Sequence, residues 1–475
     1  MQKSSRRSFL KHLSTGTVAA GLAPAFESCT STNRRPNILF IMSDDHCRQA
    51  MSSYGGQLNQ TPNIDRLANE GMRFERCCMT NSLCAPSRAT ILTGKFSHLN
   101  SVQENRDKFD GEQQTFPKLL QQAGYNTAMI GKWHLTSEPT GFDYWNVLPG
   151  QGRYFDPEFI EMGKKSVRPG YTSDIISDES IRWLSERDQE QPFMLMCHHK
   201  APHVKHQYPE KYASMFEDEE LPVPGTFNDD YFTRSSALTD SCRYSKFQNI
   251  MEGDLSGSTP PPGLSDKKYK AWAQNAFLKT YLRVVQAMDD SIGRLLDYLD
   301  TSGLAENTLV VYTSDNGFFL GEHGFYNKMW MYEESLLTPL VVRYPGVIQP
   351  GSVNEQLVSN LDFAETFLDY AGVVQPADMQ GLSFRNILED GTDPNWRKSV
   401  YYHYYGQFGV AAHYGIRTER YKLIHYYEID EWEFFDLHAD PNELRNLYLK
   451  ADAINEQARL KSELQRLREK YQDTV

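Results

Sequence analysis

The sequence predicts an α/β protein, with a mixed, mostly parallel sheet flanked by helices and a smaller C-terminal antiparallel-sheet subdomain. Three observations predict it. Four apolar runs end in polar or charged tips, the pattern of strands buried on both faces of a parallel sheet. Helical stretches separate these runs, as parallel crossovers require. After about Gln380 the chain shifts to tyrosine-rich, alternating segments that read as antiparallel strands. The length of 475 residues agrees, since one core rarely grows past about 250–300 residues.

In chain order, residues 1–30 read as an export signal. Arg6-Arg7 is followed by a weakly apolar stretch from Leu13 to Ala25 and the small-residue site Ala23-Pro24-Ala25. A twin-arginine-like bacterial signal leads us to expect a periplasmic or cell-surface protein. Cys29 is a candidate lipid anchor, although Phe26-Glu27-Ser28 fits that pattern poorly, and it is the only membrane connection expected. A catalytic domain is expected over 35–380, and a subdomain that adds to the substrate pocket over 381–475.

The first strand is Asn37-Ile38-Leu39-Phe40-Ile41-Met42, and it ends in Ser43-Asp44-Asp45. Thr61-Pro62 opens a helix with a cap and an N1 proline. Thr127–Ile130 runs into Gly131-Lys132-Trp133-His134, Phe193–Cys197 into His198-His199-Lys200, and Leu309–Tyr312 into Thr313-Ser314-Asp315-Asn316-Gly317. Ligands of open α/β sheets bind beyond the carboxyl ends of the strands, so these four tips are expected to share one site. One of His198 and His199 is expected to be a packed core residue. Between Tyr208 and Lys268 a long aromatic, acidic and Pro/Gly-rich insertion is a candidate lid. Phe277, Tyr281, Val284, Val285, Met288, Ile292, Leu295, Leu296 and Leu299 then form a helical stripe of core residues.

Composition narrows the function. With 40% hydrophobic, 12% aromatic and 23% charged residues, the chain is globular rather than disordered, collagenous or disulfide-stapled. A net charge of −13 argues against nucleic acid and anionic lipid as partners of the whole surface. Seven cysteines are present, but Cys77, Cys78 and Cys84 crowd into one segment, and a zinc site built from them and His46 lacks the usual ligand spacing.

Chemistry concentrates in Cys84-Ala85-Pro86-Ser87-Arg88-Ala89-Thr90-Ile91-Leu92-Thr93-Gly94. This segment resembles the signature of the formylglycine-dependent sulfatases, which implies an alkaline phosphatase-like fold and oxidation of Cys84 to formylglycine by a transient maturation enzyme. Gly124–Thr127 through Gly131–Leu135 is similar to the second sulfatase signature. The resemblance implies further roles. Asp44, Asp45, Asp315 and Asn316, with residue 84, would hold Ca2+, a hard cation that suits oxygen donors. Arg88, Lys132, His203 and Lys328 would surround the sulfate, with His134 beside residue 84. His203 is assigned as the acid for the leaving oxygen and His134 as a base.

The expected substrate is a sulfated saccharide. The His199–His203 stretch and the tail around His403, His413–Thr418 and Trp432–Leu437 look like bacterial sulfatases acting on N-acetylglucosamine 6-sulfate. Exo-acting removal of 6-O-sulfate from glucosamine units of glycans such as heparan sulfate is therefore expected, with Asp362 and His413 as candidates for holding ring hydroxyls. Two alternatives are a formylglycine-dependent phosphonate or phosphodiester hydrolase and a noncatalytic glycan-binding lipoprotein retaining an unmodified Cys84.

Overall fold

A computed structural model describes residues 35–240, 246–250, 252–448 and 450–475. The expected export signal and Cys29 lie outside them. The main sheet has eleven strands among the described residues. From one edge the order is Ser352–Asn354, Met72–Cys78, Leu337–Arg343, Thr308–Ser314, Asn37–Asp44, Phe193–Pro202, Asn126–Lys132, Tyr144–Leu148, Glu158–Glu161 and Lys164–Val167, and Val358–Ser359 also pairs with Met72–Cys78. The five strands from Thr308–Ser314 to Tyr144–Leu148 run parallel. Leu337–Arg343 is antiparallel to both its neighbours, as is Glu158–Glu161.

The first strand shows why its sequence is apolar throughout. Successive side chains of a strand point to opposite faces. Ile38, Phe40 and Met42 enter one layer with Ala89, Ile91, Leu92, Phe363 and Phe367. Leu39 and Ile41 enter the other with Ile64, Leu67, Ile176, Leu184, Met288 and Ile292. The second layer is dominated by the helix Asp266–Thr301, and all nine apolar residues of its stripe are buried. Pro62–Glu70 also forms as expected, but Thr61 makes no side-chain cap bond. Its hydroxyl instead donates to Asp65 Oδ1 at 3.0 Å.

The C-terminal strands Ser399–Tyr404, His413–Thr418, Tyr421–Tyr426 and Glu431–Asp436 form an antiparallel meander. One face packs on the helix Ile454–Tyr471 through Tyr401, Ile416, Leu423 and Phe434 against Leu460, Leu464 and Leu467. The other face joins Tyr402, Tyr404, Ile424, Tyr426 and Phe435 to Trp330, Met331 and Tyr332, which follow Lys328 in the chain. The insertion is held down rather than open. Leu221, Phe227, Phe247, Ile250 and Leu255 pack against Phe277, Tyr281 and Val285 of the long helix. Among the described residues no helix is long and apolar enough to cross a membrane. Cys47, Cys77, Cys78, Cys84 and Cys197 are free thiols, all buried.

The chain's end is tied in by a polar cluster. Asp473, 5% exposed, accepts from Tyr401 Oη at 2.7 Å and is joined to His403 Nδ1 at 2.6 Å, with His98 Nδ1 at 3.6 Å. Burial pushes its carboxyl up, but His403, Tyr401 and His98 outweigh that and hold the pKa below the ordinary value. This contribution is present above the unfolded-state carboxyl pKa and is lost as pH falls through the depressed folded value. Asp473→Ala leaves Tyr401 and His403 without their partner and is expected to lower unfolding stability by about 2–3 kcal/mol at pH 7. Denaturant unfolding checks this, and a change below about 0.5 kcal/mol, the level of an ordinary surface substitution, would remove the latch role.

Candidate active site

Register builds the site. Met42 and Ser43 lie beside Thr313 and Ser314, so Asp44-Asp45 and Asp315-Asn316 leave adjacent strand ends together. Asp315 N–H donates to Ser43 O at 3.1 Å, and Asp45 N–H donates to Asp315 Oδ1 at 3.2 Å. On the other side Asp44 pairs with Pro202, which brings up Lys200 and His203, and the next strand ends at Lys132. Cys84 is the first residue of the helix Cys84–Thr93, which stops at Gly94, where φ of +63° favours glycine. The positive end of this helix is thus directed at residue 84.

Ligand atoms of Asp44, Asp45, Cys84 and Asp315 all lie within 4.8 Å of one another. Cys84 Sγ is 3.5 Å from Asp44 Oδ1 and accepts from Lys328 Nζ at 2.9 Å. Three cations match the three carboxylates. Lys132 pairs with Asp44 and also reaches Gln151, Lys328 pairs with Asp45, and Arg88 grips Asp315 Oδ2 through Nε at 3.0 Å and Nη2 at 2.8 Å. Asn316 donates from Nδ2 to Asp45 Oδ1 at 2.6 Å. Its Oδ1 is buried without a hydrogen-bond partner among the described residues. An orphaned carbonyl oxygen beside three carboxylates is a donor set of hard oxygens, and it fits Ca2+.

Charge state follows from burial and pairing. Burial lowers the pKa of Lys132, but its ion pair with Asp44 opposes that and keeps the ammonium in the site. Burial also opposes the charged form of Lys328, but Asp45, Cys84 and Asp315 outweigh it and keep that ammonium ionised. Asp315 is held below the usual carboxylate range because Arg88, Lys328 and Lys132 overcome the effect of burial. His134 is pushed down to about 2 by burial and by Lys132 and Arg88, and its Nδ1 has no partner among the described residues. His203 is lowered by burial, then by Lys132, Lys328 and Lys200, and its Nε2 lies 3.9 Å from Asp45. Both imidazoles are neutral at pH 7. The Cys84 thiol is pushed up to about 12 by burial despite Lys328, so it is not a thiolate nucleophile.

The strand tips therefore bring together Asp44, Asp45, Cys84, Arg88, Lys132, His134, His203, Asp315, Asn316 and Lys328. Two sequence expectations need correction. Asp362 does not line the cavity beside Cys84. It is wholly buried, ion-paired to Arg397 and hydrogen-bonded by the backbone of Ser359 and Leu382, so its oxygens are taken up in capping a turn. His413 is equally enclosed, its ring among those of Trp330, Tyr402, Tyr404 and Tyr426, with Nδ1 on Ala411 O. Neither side chain lines that cavity. His198 packs edge-on against Phe40 beside Arg88, while His199 points to the opposite layer beside Cys197.

Lys200, expected at the site from its strand tip, is given no chemical role by the sequence. It is 4% exposed, with Nζ 4.5 Å above the Tyr154 ring, and has no ion-pair partner among the described residues. Burial lowers its pKa to about 8, while Asp45 and Cys84 partly restore it. Three carboxylates are matched by Arg88, Lys132 and Lys328, so Lys200 leaves one positive charge over. Its place in the quoted His199–His203 stretch was the available signal.

A family model described as "Sulfatase" matches residues 36–373, and one for the N-sulphoglucosamine sulphohydrolase C-terminal region matches 321–470. The chain belongs to the sulfatase family. Among its relatives, an N-acetylglucosamine-6-O-sulfatase of Bacteroides thetaiotaomicron is 45% identical over 96% of this chain and 90% of that protein. The N-acetylglucosamine-6-sulfatase of Homo sapiens is 28% identical over 82% of this chain and 71% of its own length. A solved structure in complex with its substrate, D-glucosamine-2-N,6-O-disulfate, superposes with a TM-score of 0.88 at 45% identity, covering 93% of this chain and 99% of that one. The sulfatase is thus a sulfuric ester hydrolase, and the shared fold is the mixed, mostly parallel one described above.

Proposed function

We propose that this sulfatase removes 6-O-sulfate from a terminal N-acetylglucosamine or N-sulfoglucosamine unit of glycosaminoglycans, acting from the chain end outside the cytoplasm, with residue 84 as formylglycine and Ca2+ on Asp44, Asp45, Asp315 and Asn316. The observation that carries it is the place of Cys84 Sγ, at a helix N-terminus, on Lys328 Nζ and against the acidic cluster. This atom stands in for an oxygen of the hydrated aldehyde. Likeness to the 45%-identical glucosamine sulfatase supports the sugar.

A sulfate ester spreads its negative charge during S–O cleavage, and fixed cations stabilise that spread without reorganising. Lys132, Lys328 and Lys200 supply them, while Arg88 holds Asp315 in place. Calcium, when bound, supplies positive charge that favours an ionised hydroxyl at residue 84. That oxygen bonds to sulfur as the S–O bond to the sugar breaks. The arriving anion offsets the cations that depress the His203 pKa, so His203 takes up a proton from solvent as substrate binds and passes it to the departing sugar oxygen. His134, neutral with a free ring nitrogen, accepts the proton of the second hydroxyl at residue 84. The C–O bond to the sulfated oxygen then breaks, sulfate leaves and the aldehyde returns.

Competition assays on defined saccharides test the sugar. Turnover of iduronate 2-sulfate or galactose 6-sulfate ten times faster than glucosamine 6-sulfate, about 1.4 kcal/mol in transition-state binding, would overturn it. Lys200 makes a separate prediction about pH. Its ammonium is present below about 8 and is lost as pH rises, so kcat/KM should fall across that range. Lys200→Gln should lower kcat/KM roughly tenfold at pH 7, as loss of one charged contact does, and flatten this alkaline limb. A limb unchanged in the variant would assign the titration elsewhere.

A further inference from the structure

A cavity of about 270 Å³ opens beside the catalytic cluster, and it is lined on the inner side by Asp45, Leu83, His203 and Lys328. Two of its outer residues, Asp254 and Phe408, have no part in the sulfate chemistry. Asp254 comes from the 3-10 turn Glu252–Leu255 of the insertion, whose Leu255 is anchored in the core of the long helix. Its side chain is well buried at 6% exposure, and it lines the cavity opposite the catalytic cluster. The nearest influence is Lys205, whose Nζ packs against Gly253, where an added Cβ would lie 2.7 Å away. Burial raises the Asp254 pKa and Lys205 only partly offsets this, so donors from a ligand in the cavity would favour its carboxylate.

Phe408 is the opposite case, an apolar ring left 47% exposed. It sits in the left-handed region at φ +55°, between Gly406 and Gly409 at φ +86° and +69°, so the loop backbone itself turns the ring outward. A carboxylate lining the cavity together with an exposed aromatic face matches a pyranose, which offers hydroxyls around its edge and C–H groups on its faces.

The geometry points to Asp254 and Phe408 as the pair that recognises the sugar ring, with Asp254 accepting hydrogen bonds from ring hydroxyls and Phe408 covering one ring face. This assignment rests on the sulfatase reading above, and it fills the place that Asp362 and His413 do not. It also gives the insertion a role, because Asp254 reaches the cavity only through it.

The test compares Asp254→Ala, Asp254→Asn and Phe408→Ala on N-acetylglucosamine 6-sulfate and on 4-nitrocatechol sulfate, which has the ester but no pyranose. On the sugar sulfate, Asp254→Ala is expected to lower kcat/KM roughly 10- to 100-fold and Phe408→Ala roughly tenfold. On the aryl sulfate the falls should be under about threefold, and Asp254→Asn should recover part of the sugar activity because it keeps one acceptor oxygen. With the wild type, 3-deoxy or 4-deoxy sugar sulfate should be slower, and in Asp254→Ala one of these penalties should vanish. Equal falls on both substrates, or undiminished deoxy penalties in Asp254→Ala, would overturn the assignment while leaving the sulfatase reading intact. A wild type that cleaves the aryl sulfate and no glucosamine sulfate would overturn the sugar reading and the assignment together.

Discussion

Cys84→Ala is expected to lower kcat by at least about 10⁴-fold while leaving the fold in place. Cys84 starts its helix without a side-chain capping bond, and the layer behind it is packed by Ala89, Ile91 and Leu92, none of which the substitution touches. What is removed is the one atom that meets Lys328 and Asp44 at the cavity's inner end. A thiol with its pKa pushed up to about 12 is a poor nucleophile at neutral pH, so on the proposed mechanism an active preparation is expected to carry the oxidised residue. A mass spectrum of the peptide containing residue 84 checks this directly. Full activity with only intact thiol would remove formylglycine from the mechanism.

Asp315→Ala is expected to remove activity and also to destabilise the protein. From sequence, Asp315 is a metal ligand on a strand tip, and its loss would leave the core behind it intact. The structure adds a second role, because one carboxylate oxygen accepts from both Nε and Nη2 of Arg88, whose side chain is 2% exposed. Breaking a buried pair by removing one member leaves an uncompensated charge and costs about 3–5 kcal/mol. The Asp315 pKa is depressed, so its stabilisation is present above the unfolded carboxyl value and fades as pH falls through the folded one. Thermal unfolding should stay cooperative at a lower midpoint. Adding Arg88→Met should recover much of that stability and no activity, which separates the two roles. A single variant as stable as wild type would show that Arg88 finds another partner.

Much of this site could be read from the sequence because it lies where local patterns are strongest. Each central strand is apolar on both faces, so its end is marked by the first charged residues, and Asp44, Lys132, Lys200 and Asp315 fall at or near those ends. Cys84 is marked by a contiguous segment. What could not be read depends on tertiary packing. Met72–Cys78 alternates apolar and charged residues and is given no place from sequence, yet it lies inside the main sheet, beside Leu337–Arg343 on one side and Ser352–Asn354 and Val358–Ser359 on the other. Asp362 looked available because a lone Asp gives no hint of Arg397, 35 residues later. Asp254 gave no signal at all, since the insertion has no periodicity and only the fold carries it to the cavity.

The distance along the chain between Cys84 and its partners sets a clock. In the folded protein Cys84 is fully enclosed, so on the formylglycine reading proposed above a maturation enzyme would have to reach it while the segment is still extended. Lys328 lies 244 residues downstream, and until it has been synthesised the cluster that closes around the thiol is incomplete. At about 5–20 residues per second, that leaves roughly 10–50 s in which residue 84 has been made and its enclosure has not. On that reading the oxidation would be a race against the ribosome, and slower translation between the two positions should raise the fraction of molecules that become active.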